Sequence, residues 1–521
     1  MAPLPPHLHA IQNQIRDIAL RCKLDFFEVD FQMVDFDQMN RIAAYGGFPT
    51  RYPHWRFGME YERLSKQAEY GLAKIYELVI NNNPCYEYVM DSNSLLDHKL
   101  VMAHVYAHSD FFKNNMAFAH TNRHMIDEMA NHATRIRSYI DYYGAEEVDD
   151  FLFRVLSLED LIDIHAPVHK FAPAAAPSDK VDPISGRSIT RRKPKEPLKK
   201  LPARDYMDRF INPVNDRSGG GPRQIPLTHN FPEAPVRDVL GFLLEYAPLE
   251  PWQTDVIAIV REEMLYFAPQ IQTKIMNEGW ASYWHSRMMT ERIMSDAEII
   301  DFADHHSGTV AMQPGQINPY RVGLEIFRDI EDRWNRGCFG REWEECSDLR
   351  LRSQWNKHTN QGREKIYEVR KIFTDVSFID EFLTPEVVDR SQLFTYRGDP
   401  GAERGAVIDS RAFQKVKNKL LRMLTNFGRP YLQVVDGNYH NRGELFMKHS
   451  FDGQEIDVNL AKEALKNLAS IWTRPAHLAT VVGGKGRVVS CDGSNFESRS
   501  IDLEGAEKEV LDQLEAEDNM G

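Results

Sequence analysis

The stretch from Ala103 to His108 reads AHVYAH and places two histidines four positions apart. Apolar residues recur at helical spacing over residues 94–112, which predicts a helix there. Positions i and i+4 lie on one face of a helix, so His104 and His108 can reach one metal ion. Leu100 shares that face, which predicts that the pair points into the protein. The alternative is a pair of core histidines hydrogen-bonded to backbone or carboxylate groups.

A second stretch, residues 276–285, reads MNEGWASYWH and adds a carboxylate to this picture. Glu278 and His285 are seven positions apart and therefore share a helix face. His104, His108 and Glu278 together make the His₂Glu set of catalytic zinc sites, which leaves one coordination position open, and His285 is a candidate fourth ligand. Zinc is the default ion for such a set, with manganese or iron as alternatives. The competing interpretation of Glu278 is a buried ion pair with an arginine.

Two features farther along the chain fit a metal site that acts on a carbonyl group. His305 and His306 are adjacent, and Tyr320 follows Asn318-Pro319, a pair typical of a helix start. A histidine and a tyrosine aimed at a bound substrate can donate hydrogen bonds to a developing oxyanion. Taken alone, a loop histidine and a tyrosine at a helix start are ordinary.

Composition narrows the class of protein. The chain has 521 residues, of which 42% are hydrophobic and 11% aromatic, so two or three packed units are expected and a disordered chain is excluded. A net charge of -14 predicts no nucleic-acid partner. Five scattered cysteines without a CxxC pair argue against a disulfide framework or a zinc ribbon. No apolar run is long enough for a membrane span and no signal-peptide pattern opens the chain, which favours a cytoplasmic location.

Changes in composition divide the chain into four parts. Residues 1–165 and 236–425 have helical periodicity and are predicted to form two parts of one helical core. Residues 166–235 form an irregular, basic, Pro/Gly-rich insert, either a solvated arm or a docking segment for an acidic partner. Residues 426–521 are predicted to be a small α+β module with an acidic tail. The fold class expected is therefore mainly α, and periodicity over residues 60–80 predicts one of its helices.

The strands of the C-terminal module are visible in its pattern. Residues 430–436 and 443–449 alternate like a hairpin, and residues 476–482 and 486–490 read as two further strands. Residues 461–472 between them are predicted to be a helix.

Several long motifs resemble the SpoVR (stage V sporulation protein R) family. They lie at residues 77–81, 103–115, 121–123, 277–285, 318–323, 328–334, 339–346 and 431–445. The resemblance covers about residues 10–500. It implies a role in spore cortex formation or in stress and stationary-phase physiology. It also implies two partners, a PrkA-type serine kinase and a YhbH/YeaH-type protein, but it supplies no established reaction.

A more distant likeness is to helical gluzincin peptidases of the Taq carboxypeptidase type. It implies a zincin-like helical core in which His104, His108 and Glu278 hold the metal. His305 or His306, together with Tyr320, would then polarise the substrate carbonyl.

One departure from those peptidases leaves the enzyme assignment open. They carry an H-E-x-x-H motif whose glutamate activates water, and this chain has Val105 at that position. Glu77, Asp110, Glu262 and Glu263 are the candidates for a replacement base. The chain is therefore either a metal-dependent peptide or amide hydrolase or a non-catalytic scaffold that acts with the kinase-type partner. A carboxylate near the open metal position would favour the enzyme, and closure of the site by His285 would favour the scaffold.

Overall fold

The computed structural model describes residues 1–69, 77–166, 231–313, 315–398 and 406–503. Nearly all of the predicted insert, and the acidic tail from residue 504 onward, lie outside these described residues. The described part of the chain is mainly helical, with strands in small sheets. No helix within it is both long and apolar enough to cross a membrane.

The α-helices are distributed along the whole described chain. They span Pro6–Arg21, Phe36–Ala44, Trp55–Glu69, Leu95–Asn114, Met125–Tyr143, Ala145–Leu156, Val239–Tyr246, Pro251–Gln272, Lys274–Met288, Ile299–Thr309, Pro319–Arg336, Arg341–Glu344, Leu349–Ser353, Gly362–Ile372, Asp375–Phe382, Pro385–Arg390, Phe413–Leu424 and Val458–Trp472.

Three of these helices carry the predicted site, and we name them by their key residues. The histidine helix is Leu95–Asn114, the glutamate helix is Lys274–Met288 and the tyrosine helix is Pro319–Arg336. The histidine helix is buried around its whole circumference for most of its length, which is typical of a central helix. Its start is fixed by a capping box between Ser94 and Asp97, which satisfies backbone N–H groups of the first turn.

Two glycines let the glutamate and tyrosine helices cross in close contact. A Cβ atom on Gly323 would lie 2.1 Å from the carbonyl oxygen of Ile275, and one on Gly279 would lie 2.4 Å from the Cα atom of Gly323. Any larger side chain at either position would push the two helices apart. The crossing therefore depends on glycine and holds the start of the tyrosine helix close to the glutamate helix.

The strands form three sheets. They are β1 (Ala2–Pro3), β2 (Val29–Val34), β3 (Glu77–Ile80), β4 (Cys85–Met90), β5 (Thr395–Gly398), β6 (Ala406–Ser410), β7 (Leu432–Tyr439), β8 (Glu444–His449), β9 (Ala476–Val482), β10 (Lys485–Cys491) and β11 (Phe496–Ser500). The sheet orders are β1-β2-β4-β3, β5-β6 and β11-β10-β9-β8-β7.

The N-terminal sheet overturns one helix prediction. Within the described residues, the helix expected over residues 60–80 is present as Trp55–Glu69, whereas Glu77–Ile80 is strand β3, antiparallel to β4. The prediction was wrong because an apolar segment this short gives no reliable period, and pairing with a distant strand decided its conformation. Residues 1–165 therefore contain a four-stranded sheet beside their helices.

The C-terminal strand predictions are confirmed. β7 and β8 form the hairpin, Val458–Trp472 is the helix that follows, and β9 and β10 are the last predicted pair. The helix crosses from β8 to β9, which are parallel neighbours.

This C-terminal sheet shares its core with the helices before it. Leu445 of β8 and Leu468 of Val458–Trp472 belong to the same hydrophobic cluster as Leu152, Leu243 and Trp252. Apolar side chains that pack in one cluster exclude water together. The sheet is therefore built onto the helical part and does not have a separate core.

Candidate metal centre

Three ligand atoms converge between the histidine and glutamate helices. Glu278 Oε2 lies 3.6 Å from His104 Nε2 and 3.5 Å from His108 Nε2. The three ligand atoms all lie within 4.8 Å of one another, and both histidines are buried. The i and i+4 spacing places the two imidazoles side by side, with ring centroids 4.4 Å apart.

The other ring nitrogens are held by neighbouring side chains. His108 Nδ1 lies 2.9 Å from Asn277 Oδ1, and His104 Nδ1 lies 2.7 Å from His285 Nδ1. Because an amide oxygen only accepts hydrogen bonds, His108 donates from Nδ1 to Asn277, and its Nε2 faces Glu278. His104 likewise turns its Nε2 toward Glu278. Such outer partners are a regular feature of metal-ligating histidines.

The electrostatics of the cluster favour a cation. Burial raises the pKa of Glu278, but the two histidines lower it further, so this pKa lies well below its usual range. Burial and the neighbouring His104 hold the pKa of His285 well below its ordinary value, so this imidazole is neutral. An anionic carboxylate that faces ring nitrogens in a buried place needs a positive charge. The donor set fits a divalent ion of the zinc type.

Two predicted hydrogen-bond donors lie near this centre. The Tyr320 ring stacks against the His104 ring at a centroid distance of 6.1 Å. The His306 ring lies 5.7 Å from the His285 ring. Burial lowers the pKa of His306, and the charge of Arg328 lowers it further. The structure therefore brings Tyr320 and His306 to the side of the cluster where His104 and His285 meet.

Two other predicted residues lie around the centre rather than in it. His305 Nε2 lies 3.7 Å from Asp97 Oδ1, at the start of the histidine helix. His285 stands behind His104 and contacts its outer nitrogen, whereas the converging group consists of His104, His108 and Glu278.

A family assignment follows from comparison with known proteins. The family model described as "SpoVR like protein" matches residues 4–429. The chain belongs to the SpoVR family. It is also 28% identical over 502 residues to the uncharacterized protein YcgB of Escherichia coli (strain K12), a match that covers 88% of this chain and 89% of that protein. No solved structure matches the chain.

In this SpoVR-family chain, the candidate base Asp110 is buried and forms a salt bridge of its own. Asp110 accepts hydrogen bonds from Trp280 Nε1 at 2.8 Å and from the Asp25 backbone at 2.7 Å, and it pairs with Arg370 at 3.3 Å. Burial raises the pKa of Asp110 to about 6, although Arg370 opposes the rise. Its oxygens are thus committed to structural partners. Val105 is fully buried among apolar side chains.

The remaining candidate bases do not lie in the ligand group either. Glu263 is buried in a second cluster built around Arg51 and His132, and the half-exposed Glu262 lies at the edge of this cluster. Glu77 lies on β3, and its side chain is outside what the structure describes. Among the described side chains, no candidate base is placed beside Glu278.

Two residues that support the ligands, Asn277 and Asp375, are not indicated by the sequence pattern. Asn277 precedes Glu278 and therefore points about 100° away from it around the helix, so no face pattern links the two. Asp375 accepts hydrogen bonds from the backbone N–H groups of Ile275 and Met276 at 2.8 and 2.9 Å, which caps the glutamate helix from outside. Burial raises the pKa of Asp375 to about 7. A cap supplied about a hundred residues downstream leaves no local signal.

Proposed function

We propose that this SpoVR-family chain binds one divalent metal ion, zinc by default, and hydrolyses peptide or amide bonds with it. The ligands would be His104, His108 and Glu278. The observation that carries the proposal is the convergence of two Nε2 atoms and one carboxylate oxygen, with Asn277 and His285 in contact with the outer ring nitrogens. The mainly helical fold and the order of the ligands along the chain support a zincin-like core.

The chain's own groups have separate tasks in this proposal. A bound ion would polarise the substrate carbonyl and lower the pKa of water. Asn277 and His285 hold the two imidazoles in their orientation, and the glycine crossing keeps the tyrosine helix close to the site. Tyr320 would donate a hydrogen bond to the carbonyl oxygen as negative charge develops there. His306, neutral and half-buried, would hold the other side of the substrate.

The cellular setting of this activity is a proposal drawn from the family. The proposed location is the cytoplasm. The proposed process is either remodelling of the cell envelope during sporulation or cell remodelling in stress and stationary phase. A PrkA-type serine kinase and a YhbH/YeaH-type protein are the proposed partners.

Metal analysis tests the site directly. Protein purified without a metal affinity column should contain about one equivalent of metal, and His108→Ala and Glu278→Gln should each lose it, because three protein ligands are needed to hold the ion. Glu331→Gln is the matched control, since this carboxylate on the tyrosine helix accepts from the Tyr283 hydroxyl at 2.6 Å and lies outside the ligand group. Stoichiometric metal in both ligand variants would reject the site.

An activity assay tests the reaction. Metal-loaded protein should cleave members of a peptide and amide panel, and Tyr320→Phe should lower kcat about 100-fold or more while metal content stays unchanged. Metal-loaded wild-type protein that cleaves no member of the panel would contradict hydrolysis.

A scaffold role is the second candidate, and the position of Val105 favours it. This side chain is buried in the core, and Asp110, Glu262 and Glu263 are held by other partners. In this role the metal is structural and the kinase-type partner is bound directly. Binding of that partner would then depend on metal loading but would be unchanged in Tyr320→Phe.

A further inference from the structure

Three polar side chains lie side by side on the outer face of the C-terminal sheet. They are Glu444 on β8, His477 on β9 and Ser490 on β10, which are adjacent strands. His477 and Ser490 are directly paired across β9 and β10. Their sequence neighbours Ala476 and Cys491 belong to the hydrophobic core. Side chains alternate along a strand, so these three residues face away from that core.

Hydrogen bonds join the three residues into one line. Ser490 Oγ lies 2.8 Å from His477 Nδ1, and His477 Nε2 lies 3.0 Å from Glu444 Oε2. An ionised carboxylate can only accept, so the imidazole proton is on Nε2. Nδ1 is therefore the acceptor, and the Ser490 hydroxyl donates to it. A hydroxyl, an imidazole and a carboxylate in this order are the components of a nucleophile, its base and the group that orients the base.

The surroundings of His477 keep its imidazole neutral and therefore able to accept a proton. Burial lowers the pKa of His477, and Glu444 only partly opposes this effect, so the imidazole is neutral at neutral pH. The side chains of His477 and Glu444 are each 12% exposed, which shields their hydrogen bond from water. Ser490 is half-buried. A neutral imidazole in contact with a hydroxyl is the state that general-base catalysis requires.

Two further side chains on this face can stabilise negative charge. Arg499 of β11 is paired with Val488, two residues before Ser490 on β10, so Arg499 and Ser490 share the outer face. Arg499 Nη2 donates to the Tyr439 hydroxyl at 2.5 Å, and the Tyr439 ring lies 5.1 Å from the His477 ring. The residue directly paired with Ser490 on β11 is Glu497, so Arg499 is a diagonal neighbour of the serine. Its guanidinium and the Tyr439 phenol lie on this face near His477 and are donors for a developing oxyanion.

The geometry points to a second, metal-independent active site in which Ser490 is the nucleophile toward esters and similarly activated acyl groups. Ser490 Oγ attacks the acyl carbon while His477 Nδ1 takes the hydroxyl proton. The bond from the acyl carbon to the leaving oxygen then breaks, and the leaving alcohol takes that proton from His477. Water attacks the acyl-serine, His477 takes a proton from it, and the acid is released as Ser490 regains its hydrogen.

This site lies outside the part of the chain that the family model covers, because the match ends at residue 429. Nothing about the metal centre is needed for it, and the two activities can be tested separately.

Covalent labelling of the full-length protein tests the proposal. A fluorophosphonate probe should add one phosphonyl group to Ser490, located by peptide mass spectrometry, and Ser490→Ala should abolish the adduct. Ser498→Ala is the matched control, because this exposed serine on β11 is paired with Val489 and lies on the opposite face. It should label like the wild type.

The role of the base is tested by labelling rate. His477→Ala should slow labelling about 100-fold or more, since general-base assistance is worth about 10²–10⁴. Glu444→Gln keeps the side-chain shape and an accepting oxygen, so it provides a folded variant that should still slow labelling if His477→Ala does not fold. Absence of an adduct on Ser490 in the folded wild type would overturn the proposal. Equal labelling rates in wild type and in a folded Glu444→Gln or His477→Ala variant would overturn it too.

Discussion

Among the residues that the structure describes, the metal centre and a second buried cluster both combine histidine with glutamate, and they differ in how their charges balance. In the metal centre, Glu278 faces the Nε2 atoms of two histidines at 3.5 and 3.6 Å, too far for hydrogen bonds of ordinary strength. In the second cluster, which we call the arginine cluster, Glu263 accepts from Arg51, from the Tyr52 hydroxyl at 3.1 Å and from His132 Nδ1 at 3.1 Å. The first cluster brings one carboxylate to two ring nitrogens with no arginine in the ligand group, and the second adds a buried arginine to its histidine and carboxylates.

The pKa values follow the same division. Burial lowers the pKa of His132, but Glu262 and Glu263 raise it further, to about 9, so the imidazole is charged. With Arg51 it balances the two carboxylates, and the arginine cluster needs no ion. The metal centre also combines histidine with glutamate, but its ligand group of His104, His108 and Glu278 includes no arginine. The presence of histidine and glutamate alone therefore does not separate a structural ion network from a ligand set, whereas the presence of a buried, paired arginine does.

The largest expected effect that separates the two clusters is on stability. Glu263→Gln should lower the free energy of unfolding by about 3–5 kcal/mol, because it leaves Arg51 buried without its counter-charge and His132 with only the half-exposed Glu262. Urea unfolding measures this, and metal content should not change. Glu262→Gln is the control, since its side chain is 49% exposed and its pairing is screened by solvent. A loss below about 1 kcal/mol for Glu263→Gln would show that the arginine cluster is not self-balanced.

A smaller effect is expected on the pH dependence of stability. The pKa of His132 is raised from 6.5 to about 9 on folding, so its stabilisation is fully present below pH 6.5 and is lost as the pH rises through about 9. Each pKa unit is worth about 1.4 kcal/mol, which limits the loss to about 3 kcal/mol. Unfolding titrations at pH 6 and pH 9.5 measure it. His132→Gln should flatten this slope, and an unchanged slope in that variant would contradict the assignment.

The smallest expected effect concerns Asn277, which orients the ligand His108. This prediction rests on the proposed metal site. Asn277→Ala should weaken metal affinity about 10–100-fold, because His108 loses the acceptor that fixes its proton on Nδ1. Asn277→Asp keeps an acceptor and should retain most of the affinity. Competition with a chelator measures both, and Ser286→Ala on the same helix is the control. Equal affinity in Asn277→Ala and wild type would remove this residue from the metal centre.

Local pattern predicted a good part of the fold. The hairpin of β7 and β8 and the strands β9 and β10 were visible because alternation along a strand is a local signal. The histidine helix was visible because its apolar residues recur at helical spacing. Strand β3 was not visible in the sequence, because a four-residue apolar segment takes its conformation from the strand with which it pairs.

For the candidate site, the sequence by itself determined the pair His104 and His108, since a spacing of four on a helix fixes their relation before anything else folds. It also supplied Glu278 and Tyr320 as candidates, through residue type and a likeness to other proteins. Only the tertiary structure decided what these residues meet. The approach of Glu278 to the histidines depends on a helix crossing, and the roles of Asn277 and His285 depend on which side chain reaches which ring nitrogen. Contacts between helices are set by packing of residues far apart in the chain, and no local period records them.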